Sequence, residues 1–363
     1  MINLLPEPKQ VRDDHTISKN FKKISFILSS ELKNSDEYLD IAKMRFWNYP
    51  EIEICAGNCQ EDECFTVYVH NSLPVIDSEN EEHFQSQGYQ LTITENEAQL
   101  HFEQKAGFIN SVTSLKILIE AKAGAYSLPC CQITDWPSIP VRAIAPTFSW
   151  YAGYGRIGFD SQLWGFEEWV EFLNINLDNK INQFNLLMYG YWPFDLEKYP
   201  ETVFRNVPIK IWNAENRRWL TLRYTHPNLE DPYLLKFIEL AHQFDVKVFA
   251  YVGLNSYNGA YSIAHPEARM VPPKSSNFLN DFDSLCLSKN ENVQYIVDCM
   301  VHIAELGFDG YTLEESEEGF WFCECEDCRK RWHATTQSPG EAKHKANLWL
   351  LNQIYNAVRA INP

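Results

Sequence analysis

No run of 18 or more apolar residues occurs anywhere in the 363-residue chain, so no segment reads as a membrane-spanning helix and no membrane partner is expected. Positive charge is scarce. There are 31 Lys and Arg against 49 Asp and Glu, a formal net charge of −18. A phosphate-backbone binder needs a basic footprint, so nucleic acid is not expected as a partner. The acidic balance suits a neutral or cationic small substrate, but mostly it means solubility. The opening MINLLPEPKQ has no charged-then-apolar signal pattern, which sets a cytoplasmic location as the expectation. There is no HExxH or other histidine ligand pattern; His226, His242, His265 and His302 stand isolated. No glycine-rich phosphate loop follows the first strand of the C-terminal half, which argues against a dinucleotide-binding sheet.

What remains is an ordinary soluble composition with many rings: 45% hydrophobic and 22% charged residues, with 11 Trp, 18 Tyr and 22 Phe. The length allows two domains. Residues 1–135 read as an α+β supporting domain. Ile24–Leu28, Phe65–His70, Tyr89–Thr94 and Glu97–Gln104 are strand-like, and the last two form a hairpin around Glu95-Asn96. Residues 35–48 and 107–121 carry a helical rhythm. Pro137 and Pro140 then set an extended linker.

Residues 136–363 change character to alternating strand and helix. Strands are expected at 143–150, 181–192, 246–253 and 308–315, with helices at 167–179, 232–244, 291–306 and 341–361. The strands end in Ser149-Trp150-Tyr151, in Tyr189-Gly190-Tyr191-Trp192, ahead of Asn255 and Tyr257, and in Glu314-Glu315. Pocket residues gathered on one rim are the expectation for a (β/α)8 TIM-type barrel. The fold class is therefore α/β, with about the first four βα units of a barrel after the α+β domain. Such a barrel takes ~250 residues and about 220 follow the linker. The expectation is a missing C-terminal half or closure by self-association.

The densest chemistry is FDGYTLEESEEGFWFCECEDC, Phe308–Cys328. Glu314 and Glu315 close the fourth strand, where parallel α/β enzymes keep acids and bases. Glu317 and Glu318 read as a solvated loop. Strand parity puts Gly310, Thr312 and Glu314 on the interior face, and Tyr311, Leu313 and Glu315 on the face under helices. Cys323, Cys325 and Cys328 have metal-site spacing, and Cys286, in the loop after the third strand, is the best fourth ligand. A structural zinc and a set of reduced thiols are both open at this stage; either way, catalysis needs no cofactor.

Taken together, LLPEPKQV near the start, GYQLTI with AGFINSVTSLKILI (Ala106–Ile119), Asp135-Trp136-Pro137 with Arg142, and DNKINQFNL (Asp178–Leu186) resemble family 20 glycoside hydrolases, the β-N-acetylhexosaminidases. The resemblance implies an Asp-Glu pair at the end of strand four, matched here by Glu314-Glu315. By that match Glu315 protonates the glycosidic oxygen, and Glu314 steers the substrate's own 2-acetamido group as nucleophile. Arg142 and, as a substitute for a missing strand-one arginine, Arg156 are the expected sugar-binding cations. Trp150, Tyr151, Tyr189, Tyr191, Trp192 and Asn255 are the expected lining of a carbohydrate pocket. The alternatives are a glycosidase on another sugar, such as a galactoside or uronic acid, or a non-catalytic carbohydrate-binding protein.

Overall fold

In a computed structural model the chain divides into two compact units, one of residues 1–143, 170–182 and 240–246 and one of residues 144–169, 183–239 and 247–363. The structure describes residues 2, 4–59, 61–74, 81–122, 124–151, 160–257, 259–273, 284–315 and 322–362.

The first unit is built on a seven-stranded sheet. In chain order its elements are β1 (Gln10–Ile17), β2 (Lys23–Leu28), α1 (Ser35–Arg45), β3 (Glu53–Ala56), β4 (Cys64–Asn71), α2 (Glu81–Gln87), β5 (Tyr89–Ile93), β6 (Glu97–Phe102), α3 (Lys105–Ile117), the small hairpin β7 (Glu120–Lys122) and β8 (Ala125–Ser127), and β9 (Pro129–Asp135). The sheet order is β1-β9-β5-β6-β4-β2-β3. The hairpin expected around Glu95-Asn96 forms, with Ile93 opposite Ala98 and the Thr94 amide donating to the Glu97 carbonyl at 2.9 Å. Strand alternation drives it: Leu91, Ile93, Ala98 and Leu100 are fully buried and their neighbours are not.

Three helical segments of this unit meet at a buried charge network. Arg45, the last residue of α1, is fully buried. Its guanidinium pairs with Asp178 and donates to Asn174 Oδ1 at 3.0 Å and Thr113 Oγ1 at 3.3 Å. Lys116 of α3, also buried, reaches the same Asp178 oxygen at 2.5 Å. Burial pushes the pKa of both cations down, and the single carboxylate opposes that shift. A second buried pair joins Lys180 to Asp135 at 2.6 Å, beside the Tyr89 hydroxyl.

The second unit carries β10 (Ala143–Ile144, of which Ile144 belongs to it), β11 (Thr147–Trp150), the start of α4 (Phe166–Asp178, whose residues 170–178 belong to the first unit), β12 (Gln183–Tyr189), β13 (Val207–Asn213), β14 (Arg218–Tyr224), α5 (Pro227–Glu230), α6 (Leu234–Gln243, whose residues 240–243 belong to the first unit), β15 (Lys247–Gly253), α7 (Gly259–Ala264), α8 (Asn290–Glu305), β16 (Gly310–Glu314), α9 (Glu326–Arg331) and α10 (Pro339–Ile361). Strands β11, β12, β15 and β16 lie side by side in that order, each of these neighbours parallel, and β10 also pairs with β12 in the same five-stranded sheet. Hydrophobic runs bounded by helices favour this arrangement, with connections long enough for crossovers. One face is fully buried: Phe184, Leu186 and Met188 on β12, and Val248, Ala250 and Val252 on β15. On β16, Tyr311 belongs to that helix-covered face, its hydroxyl donating to the Met300 carbonyl of α8 at 2.5 Å. The opposite face, with Asn185, Leu187, Phe249, Tyr251, Thr312 and Glu314, is half-buried. The fold is thus mixed α/β, with a five-stranded sheet, parallel across β11, β12, β15 and β16, as its second core.

Helix α10 starts on Ser338, whose hydroxyl accepts from the Glu341 amide at 3.2 Å while Glu341 accepts from the Gln337 amide at 2.7 Å, a reciprocal cap with Pro339 at the first turn. Ala342, Ala346, Leu350 and Ile354 make its buried stripe. Among the described residues no helix is long and apolar enough to cross a membrane.

His226 plugs the space beneath β11. Its Nδ1 accepts from the Asn228 amide at 3.2 Å, which leaves Nε2 to donate to the Phe148 carbonyl at 2.8 Å. Burial pulls its pKa down to about 4 from 6.5, the Phe148 carbonyl opposing the shift. The unfolded chain therefore takes up the proton first as pH falls. Native stability should drop by about 3 kcal/mol between pH 6.5 and 4 on this account. Urea unfolding at stepped pH checks it: the His226→Gln variant is expected to lose that part of the slope, and an unchanged slope would remove His226 as its source.

Candidate active site

Glu314, the last residue of β16, is paired in register with Gly253 of β15 and points onto the half-buried face. Its carboxylate accepts from the Tyr251 hydroxyl at 2.9 Å and, on the same oxygen, from the Tyr189 hydroxyl. Tyr189 stacks on Tyr257 with ring centroids 4.3 Å apart, stands edge-on to Tyr251 at 5.9 Å, and packs against Trp150 at 5.3 Å. Burial first, then the bond to Glu314, pushes the Tyr189 phenol far above its usual range, so it acts as a donor. The result is one acceptor-only carboxylate fixed by two hydroxyls among four rings.

The backbone around this cage is tightly specified. Gly190 has φ of +90°, and a Cβ there would meet the Tyr151 carbonyl oxygen at 2.6 Å. Its amide donates to the Tyr257 carbonyl at 2.7 Å, which ties the end of β12 to the turn after β15. Only glycine supplies that conformation and that approach.

The other sequence-derived candidates separate into groups. Tyr151 and Tyr191 meet edge-on at 4.8 Å, and Tyr191 stacks on Phe204 at 5.4 Å; both are half-buried. Trp192 is not available as a sugar platform. It is 3% exposed, stacks on Phe194, and its indole nitrogen donates to the Tyr295 hydroxyl at 2.9 Å. The chain turns after Gly190, so parity along the strand no longer places the residue. Asn255 is also committed: it donates to the Leu285 carbonyl at 3.0 Å and accepts from the Leu285 amide at 3.2 Å. Arg142, in the first unit, has its guanidinium taken by the carbonyls of Lys180 at 2.6 Å, Ile139 at 2.9 Å and Pro140 at 3.1 Å. It is a backbone anchor where a sugar-gripping cation was expected. Arg156, Glu317 and Glu318 lie outside the described residues.

Glu315 parts from Glu314. It is exposed, and its carboxylate lies 3.5 Å from His344 Nδ1 of α10. The two adjacent carboxylates do not share the tyrosine cage. Tyr257, named from the sequence at the end of the third strand, belongs to the cage, and so does Tyr251, which the sequence-derived set lacked. Parity from Gly253 back to Tyr251 and Phe249 was the signal that could have found Tyr251.

Cys286, Cys323, Cys325 and Cys328 come together. Their four sulfurs lie within 4.8 Å of one another. Donation from Cys323 and Cys328 draws the Cys286 thiol down, and the same contact with Cys286 pushes Cys323 up. His333 is turned away as a ligand, its Nε2 lying 3.1 Å from the Cys323 carbonyl.

The first unit also holds a cavity of about 240 Å³ lined by Lys9, Asp135, Trp136, Arg142 and Lys180 among others. Within it Lys180 is paired with Asp135, and the Arg142 guanidinium is taken by backbone carbonyls.

Residues 1–136 match the family described as glycosyl hydrolase family 20, domain 2. No curated protein matches the chain. Solved structures with a similar fold include the exo-β-N-acetylglucosaminidase of Vibrio harveyi, at 14% identity and TM-score 0.74, covering 98% of this chain and 53% of that one. The β-N-acetylhexosaminidase of Bacteroides fragilis matches at 15% identity and TM-score 0.67, over 98% of this chain and 64% of that one. The β-N-acetylhexosaminidase of Streptomyces coelicolor matches at 13% identity and TM-score 0.66, over 98% and 64%. The chain spans between half and two thirds of the length of these proteins. Over the part of those proteins that it spans, the chain shares their fold, at 13–15% identity.

Proposed function

We propose that the chain carries part of the active centre of a glycoside hydrolase acting on terminal sugars, N-acetylhexosaminides first among them. The observation that supports this most is the Glu314 carboxylate, set at the C-terminal end of the fourth parallel strand and oriented by the hydroxyls of Tyr189 and Tyr251. In this reading Glu314 accepts the acetamido N–H and aligns the acyl oxygen with the anomeric carbon. That oxygen bonds to the carbon as the glycosidic bond breaks, and Glu315 delivers its proton to the leaving oxygen. Trp150 and Tyr257 give the apolar faces that suit sugar C–H groups. A closed eight-stranded barrel belongs to this proposal, with the remaining strands supplied by further chain or by a second copy.

One observation favours a second reading, a carbohydrate binder without turnover: Glu315 is exposed beside His344 and does not share the cage. A panel of aryl glycosides separates the two. Turnover of the N-acetylglucosaminide or N-acetylgalactosaminide is expected. Turnover of a galactoside or glucuronide alone would redirect the substrate assignment, and saturable binding with no turnover would establish the binder.

A further inference from the structure

We infer that Cys286, Cys323, Cys325 and Cys328 hold one zinc ion in a closed tetrathiolate site, clipping the segment ahead of α8 to the chain that follows β16. A tetrahedral zinc with ~2.3 Å bonds to sulfur sets its ligand sulfurs about 3.8 Å apart. From Cys286 the sulfurs of Cys323, Cys325 and Cys328 lie at 3.6, 3.7 and 3.7 Å. The four sulfurs together lie within 4.8 Å of one another, and all three of these distances match the edge of such a tetrahedron. They are far longer than a disulfide, which closes to about 2.05 Å. They are also too close for an iron–sulfur cluster, which spreads its thiolates over several irons.

The surroundings separate a ligand set from small apolar packing. Backbone donors are aimed at two of the sulfurs, the Val271 amide at Cys323, at 3.3 Å, and the Cys328 amide at Cys325, at 3.4 Å, and the Ser288 hydroxyl, which can donate or accept, lies 3.0 Å from Cys328. Donors of this kind suit thiolate acceptors and orient them, the role of an outer shell around a metal. The Cys286 loop is also held with more precision than a buried thiol needs. Asn255 brackets the backbone of Leu285 from both sides. The fully buried Asn292 donates to the carbonyls of Ala268 and Cys286 at 2.7 and 2.9 Å. The Cys286 amide reaches the Ala268 carbonyl at 2.9 Å. Two buried asparagines thus fix one ligand, and the six-residue α9, with Cys325 at its cap and Cys328 in its first turn, presents two more.

Four protein ligands leave no position for water or substrate, so the ion is structural. Binding takes the ligands as thiolates, and each thiol that is protonated beforehand releases its proton to solvent. Cys299 makes a natural control. It is buried within α8 and lies outside the four-sulfur group.

The test is elemental analysis of the full chain purified under reducing conditions, followed by exchange with cobalt(II). The expected result is one zinc per chain and, with cobalt, the thiolate charge-transfer and visible bands of a tetrahedral sulfur site. Cys325→Ser, at the half-exposed ligand, should lose the metal and the bands, while Cys299→Ser keeps both. Should Cys325→Ser fail to fold, the cobalt spectrum of the unaltered chain decides alone. A chain purified without metal whose melting temperature does not move on adding zinc, or one that keeps its zinc in a folded Cys325→Ser variant, overturns the site. Stoichiometric iron in place of zinc overturns the choice of ion.

Discussion

Asp178→Asn is expected to destabilise the first unit by about 3–5 kcal/mol, the cost of leaving a buried charge without its partner. The carboxylate is shared by two cations whose side chains are 0% and 2% exposed, Arg45 and Lys116, so its loss strands both. Asn174 and Thr113 keep part of the Arg45 shell intact, but neither carries charge. Lys116 then has burial and the Arg45 charge pushing its pKa down with no opposing anion. In the variant the native chain binds fewer protons at this site than the unfolded chain does, so its stability should rise as pH is raised from 7 toward the lysine range. The parent should show less of this rise. Urea unfolding of both proteins at two pH values reads the effect. Lys116→Met in the Asp178→Asn background should recover part of the loss, because it removes one of the stranded charges. A loss under about 1 kcal/mol, with no pH dependence, would mean that the network is solvated and contributes as little as a surface pair.

The network also shows where sequence reasoning stops. Asp178 and Lys180 stood out only as part of a motif resemblance, because nothing in a linear pattern says that Arg45, Lys116 and Asp178 will meet. Periodicity, by contrast, carried far. All four parallel strands form where alternation and bounding helices put them, and α8 and α10 begin within two residues of expectation. Strand parity also carried, placing Glu314 inward and Tyr311 beneath α8. It failed where the chain leaves the strand. Trp192 follows the positive-φ turn at Gly190 and swings into the core. Strands β1 and β9 were not expected, since β1 is an almost fully exposed edge with no buried alternation. The ribbon of β13 and β14 was missed too; it pairs Trp212 with Trp219 on a mostly exposed surface, so no core stripe marks it. The cysteine grouping was legible because metal-like spacing survives in sequence, whereas the asparagines that brace it do not announce themselves. Asn255 looked like a pocket residue for want of that context.

Glu314→Gln should lower kcat on an N-acetylhexosaminide by about 10²- to 10³-fold, in the range seen when one preorganised electrostatic contact is removed from a transition state. The substitution keeps size and still offers an oxygen to Tyr189 and Tyr251, so the fold and the cage survive while the charge is lost. If the carboxylate serves mainly the charge that develops as the acetamido oxygen attacks, KM should move little compared with kcat. Tyr251→Phe removes one of the two donors and should cost about 10-fold, the scale of one hydrogen bond to a charged group. Glu315→Gln then separates the two glutamates. A proton donor matters when the leaving group is a poor one, so the variant should retain most of its rate on a dinitrophenyl glycoside and lose it on an alkyl glycoside. Equal losses on both substrates would take the acid role from Glu315. Full activity in Glu314→Gln, measured on a chain long enough to turn over the unaltered sugar, would leave the tyrosine-held carboxylate as a purely structural feature of the sheet end.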